Sequence, residues 1–185
     1  MTLSPYLPFF ANPAMPTLPD QIANSTIMGL PLIPLFTDIF FGLLGMTIVL
    51  VFHGSLINHL IMRFERRTDH NLKHGQYNRV FAHFYATFFF IAIVHICEIV
   101  LWCFFLLFLG LIDDAVQALL FAGSCYTTVG FITDILPTGW KSLAFFIAFT
   151  GLFSLAWTTS VMIGMTNAYK AAWNLKYGRP ENTNV

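Results

Sequence analysis

Three apolar runs, at about 35–62, 80–112 and 140–168, each exceed the roughly 20 residues that carry a helix across a bilayer core. A soluble core built from a chain of this size cannot hide that much apolar length. Of the 185 residues, 57% are hydrophobic and 10% charged, against about 25% charged in an ordinary soluble domain. Each run therefore reads as a transmembrane helix, and the fold class as an all-α membrane protein. The second run, at a rise of ~1.5 Å per residue, must tilt or protrude. Net charge is zero, so nothing points to nucleic acid. Cys97, Cys103 and Cys125 stand singly in apolar runs with no CxxC spacing, so they read as buried apolar side chains rather than a disulfide or a metal set.

All but two of the nine prolines fall in residues 1–34, a segment without a basic residue. Proline removes an amide donor and clashes with the preceding turn, so this segment is no regular helix. A cleavable signal peptide would begin with a basic region, which is missing. The expectation is an extended or interfacial arm whose Tyr6, Phe9 and Phe10 rest on the membrane surface or on a partner. Arg63, Arg66, Arg67, Lys73 and Arg79 follow the first run, and Lys170, Lys176 and Arg179 follow the third; Lys141 alone lies on the other side. The positive-inside rule then puts a basic loop at 63–79 and a tail at 169–185 in the cytoplasm, with the arm outside.

Between the second and third runs stands "DDAVQALLFAGSCYTTVGFITDILPTG". Its first part, about Asp114 to Tyr126, is apolar but too short to span, and Asp113 or Asp114 can cap its N-terminus. The rest carries Gly, Thr, Asp and Pro and reads as loop. A short helix and a loop between two spanning helices make a re-entrant segment, and non-helical backbone at membrane depth survives only inside protein or lining water. The loop opens Thr127-Thr128-Val129-Gly130-Phe131, and a cation filter needs such a run: small or β-branched residues before a glycine, with carbonyls turned to one axis.

"HICEIVLW" (His95–Trp102), "ALLFAGSCYTTVGF" (Ala118–Phe131), "TDILPTGWKSL" (Thr133–Leu143) and "GLFSLAWTTS" (Gly151–Ser160) together resemble the pore module of the prokaryotic potassium-channel superfamily of pore-loop cation channels. More narrowly, they resemble small bacterial ion-channel-domain proteins. The resemblance covers under half the chain. It implies a pore module over 80–168 and a homotetramer with four loops around one axis. It also implies a filter at Thr127, Thr128, Val129, Gly130, Phe131 and Ile132, and Asp134 at the pore mouth. The third helix would line the pore, with a hinge at Gly151 and with Thr158, Thr159 or Ser160 toward water. Against these stand close helix packing at Gly151 and bonds from the hydroxyls to their own helix. Family members place Gly-Asp after the aromatic residue; here Ile132-Thr133-Asp134 follows Phe131, and β-branched Ile132 suits a positive φ poorly.

Polar groups at depth are His53, Asn58 and His59 in the first run and His83, His95 and Glu98 in the second. His95 and Glu98 share a helical face. They read either as a hydrogen-bonded brace, Glu98 being held by His95 or by another helix, or as a metal or haem site drawing on His53, His59 and His83. The brace is the expectation, with no metal. Glu98 is taken as the one deep carboxylate, too few for a di-iron bundle. His70 and His74 belong to the basic loop, near anionic lipid heads. The functional expectation is a bacterial inner-membrane protein, not an enzyme, that passes potassium or another monovalent cation and has no other cofactor. The alternatives are a non-conducting subunit held in a larger membrane complex by the N-terminal arm, and a metal- or haem-binding membrane protein.

Overall fold

The first apolar run does not end where its apolar residues do. In the computed structural model, which describes residues 32–131 and 135–178, helix α1 spans Leu32–Lys73. Pro34 lies in its first turn, where an amide has no intrahelical partner to lose. The basic stretch expected as a loop at 63–79 is instead helical to Lys73, because "RFERRTDHNLK" contains no glycine or proline to stop it. The stop comes at Gly75, whose φ of 68° is a left-handed value that favours glycine. There Gly75 N–H donates to Leu72 O at 3.1 Å and Gln76 N–H to Asn71 O at 2.8 Å.

Helix α2, Tyr77–Phe108, therefore follows almost at once and returns across the bundle. It ends short of the expected 112. Gly110 takes a φ of 64°, Gly110 N–H donates to Leu107 O at 3.0 Å, and Leu111 N–H donates to Leu106 O at 3.1 Å. This pair of bonds satisfies carbonyls that the last turn would otherwise leave open. The short helix α3, Ala115–Tyr126, begins as its sequence predicts: Asp114 Oδ1 accepts from Gln117 N–H at 2.7 Å. Helix α4, Leu143–Tyr177, runs beyond the expected 168 into the segment read as a tail, and closes at Gly178 with φ 65°.

The described residues are thus all-helical, and α1, α2 and α4 are each long and apolar enough to cross a membrane. Large apolar side chains such as Phe89, Phe104, Phe108 and Phe145 stand exposed on them, a surface that suits lipid and not water. Of the Pro-rich arm read at 1–34, residues 32–34 belong to α1 and 1–31 lie outside the described residues, as do 132–134 (with Ile132 and Asp134) and 179–185.

From Pro34 on, the chain forms one compact unit with two apolar clusters. One gathers Trp102, Leu106, Phe121, Ala122, Tyr126, Leu143 and Ile147 where α3 packs on both α2 and α4. The other joins Ile57, Phe64, Ile91, Val94 and Met165 of α1, α2 and α4. Helix α1 is fitted to the rest through glycines. A Cβ would stand 2.1 Å from the Phe146 ring at Gly42, 2.7 Å from Trp102 at Gly45, and 2.9 Å from Trp157 at Gly54. Small residues that admit a neighbour's ring are the usual means of close helix packing where lipid offers no hydrophobic drive. The three cysteines are free, with Cys103 and Cys125 buried.

Candidate functional site

The loop after α3 is built from its own helix end. Thr127 Oγ1 donates to Gly123 O at 2.7 Å, and Thr128 N–H donates to Cys125 O at 2.9 Å. Gly130 N–H then reaches back to Ser124 O at 3.1 Å, and Phe131 N–H to Ser124 Oγ at 3.0 Å. Buried Ser124 thus holds two successive amides of the loop. Thr128 (φ 59°) and Gly130 (φ 65°) are both left-handed. For glycine that costs nothing, but for a β-branched threonine it costs about 1–2 kcal/mol.

The direction of these amides fixes the direction of the carbonyls. In a trans peptide, N–H and C=O point opposite ways, and the described residues contain no cis bond. With the amides of Thr128, Gly130 and Phe131 turned back onto α3, the carbonyls of Thr127, Val129 and Gly130 turn away from it. None of the three accepts a backbone bond from the described residues. The side chains of Val129 and Phe131 are 66% and 63% exposed.

Behind the loop lies a buried polar cluster drawn from all four helices. Tyr126, the last residue of α3, donates its hydroxyl to Glu98 Oε2 of α2. His53 Nδ1 of α1 sits 2.6 Å from the other oxygen, Oε1. The Tyr126 proton being spent on Glu98, His95 Nδ1–H donates to Tyr126 Oη at 2.8 Å. His95 Nε2 is then the acceptor for the Thr158 hydroxyl of α4 at 3.2 Å. His53 and Glu98 are wholly buried.

The brace expected of His95 and Glu98 is therefore present in its second form. Glu98 is held by other helices, while His95 Nδ1 stands 3.9 Å from it and bonds elsewhere. His53, His95 and Glu98 offer ligand atoms within 4.8 Å of one another, close enough for one ion. In the geometry described Glu98 bonds His53 and Tyr126, and His95 bonds Tyr126 and Thr158. His53 Nε2 is buried without a hydrogen-bond partner among the described residues, its ring lying 5.7 Å from that of Trp157. His59 is exposed on α1, and His83 lies at the basic end, so neither joins the cluster.

Thr158, expected with Thr159 along a water-facing stripe, is buried against His95; neighbouring chains can only add to that burial. Thr159 is exposed and its hydroxyl donates to Leu155 O at 2.8 Å, the bond to its own helix weighed above. At Gly151, α4 continues without a break, and a Cβ there would stand 2.0 Å from the Tyr126 carbonyl oxygen. The glycine admits the end of α3 rather than interrupting α4.

Asp38 is a second buried carboxylate, one that the sequence reading did not single out. It is buried at the far end of α1, accepts Ser142 N–H at 3.0 Å, and also takes the Ser142 hydroxyl. Ser142 is the N-cap of α4 and makes no cap bond with its own side chain, so α1 supplies the anion that this helix start favours. An acid inside an apolar run is the signal that could have found it. No known protein family, curated protein or solved structure matches the chain.

Proposed function

We propose that the chain is a potassium-channel-like membrane protein, in which Thr127, Thr128, Val129, Gly130, Phe131 and Ile132 from each of four copies line a path for monovalent cations. The observation that carries this reading is the set of loop carbonyls at Thr127, Val129 and Gly130, turned away from α3 and without a backbone donor among the described residues. At membrane depth a carbonyl needs a partner, and a ring of them can replace the water around a cation. The strained Thr128 fits the same reading, since such backbone persists where surrounding bonds over-determine it. In this arrangement α3 is a re-entrant pore helix, and the basic ends of α1 and α4 face the cytoplasm of a bacterial cell.

The test is flux from liposomes under a potassium gradient, with sodium in parallel and an ionophore control. Potassium flux that vanishes in Thr128→Ala and Gly130→Ala is the expected outcome. No flux from an intact oligomer would replace this reading with a non-conducting subunit.

A further inference from the structure

We propose that the cleft between α1 and α2 at the basic end of the bundle binds the phosphate of an anionic phospholipid. The cleft encloses about 150 Å³. Arg63 and Arg67 of α1 and His83 of α2 line its polar side, and Leu60, Phe64 and Phe90 line its apolar side. Arg79 adds its positive charge to the field at His83. Among the described residues no carboxylate pairs with Arg63 or Arg67, so both guanidinium groups keep their donors for a ligand. A guanidinium offers two parallel N–H groups that match phosphate oxygens.

Helix α1 sorts its charges by face. Its acids Glu65 and Asp69 line a different cleft, against Ser160 and Met165 of α4, which leaves the α2 side purely basic. The volume suits a head-group phosphate and not a whole lipid. Phe90, 51% exposed, continues the apolar wall out of the cleft, where an acyl chain would lie. The site also stands where the apolar part of α1 gives way to Arg63, the level at which lipid phosphates meet a spanning helix. Charge, apolar wall and depth together select a lipid over a soluble anion.

The experiment uses the full chain, purified in neutral detergent and stripped of lipid, and titrated with phosphatidylglycerol or phosphatidylcholine under native mass spectrometry. We expect phosphatidylglycerol to bind preferentially, and the R63Q/R67Q variant to bind it at least about tenfold more weakly. The R66Q/K73Q variant, which removes two charges from the same helix outside the cleft, should change it less than about twofold. All four side chains lie at the exposed end of α1, and unchanged helical circular dichroism establishes that both variants are folded. Equal loss in the two variants would reduce the effect to diffuse surface charge and overturn the proposal. So would equal binding of both lipids, or displacement of the lipid by inorganic phosphate at the same concentration.

Discussion

Tyr126 carries more of this molecule than any other single side chain. Its hydroxyl links Glu98 to His95, its carbonyl oxygen lies against Gly151, and the loop of Thr127–Phe131 starts from it. Tyr126→Phe keeps the ring and deletes only the hydroxyl, leaving a buried carboxylate oxygen and a histidine N–H without their partner. An unsatisfied buried polar group costs about 1–3 kcal/mol, so the variant should melt at a lower temperature in detergent than the parent protein. If the cluster also aims the loop, its potassium flux should fall by more than the lost folded fraction. The placing of His95 and Glu98 on one helical face was legible from their spacing, but their hydrogen-bond partners were not. His53 and Tyr126 lie 45 and 28 residues from Glu98 along the chain, and no local pattern relates residues that far apart.

At the scale of elements, the three long apolar helices were legible from run length, and α3 from its cap and its shortness. The ends were not. Apolar character stops near Arg63 while helix propensity does not, so α1 continues through its charged turns to Gly75. The same holds for α4 beyond residue 168. The attachment of α1 was also hidden in the sequence, because it rests on glycine contacts and on two buried acid contacts, Asp38 with Ser142 and Glu98 with His53. Asp38→Ala removes the first of these and leaves the start of α4 without its anion. We expect a loss of about 1–3 kcal/mol. Amide exchange should quicken around Asp38 and Ser142 and stay slow near His53; uniform quickening would count against separate joints.

For the whole molecule, the exposed Val129 and Phe131 and the outward carbonyls leave one side of α3 and its loop without a partner among the described residues. The proposed assembly supplies it, so crosslinking in native membranes should stop at four copies, and a ladder ending at two would contradict it. Orientation has its own check. In a chain with Cys97, Cys103 and Cys125 replaced, Gln76→Cys in the short α1–α2 turn should react with an impermeant thiol reagent only after the inner face is opened.

The contact at Gly151 has a mechanical meaning. There the backbone of α4 rests against the carbonyl oxygen of Tyr126 with no side chain between them, and one turn or two further on Thr158 is tied to His95. That stretch of α4 is keyed to α3 and α2 like a shaft in its bearing. It cannot swing without dragging the root of the loop. Past Thr158 the inner side of α4 stays packed, with Met165 buried against Ile57, Phe64, Ile91 and Val94, while its outer side is open: a Cβ at Gly164 would meet nothing within 4 Å.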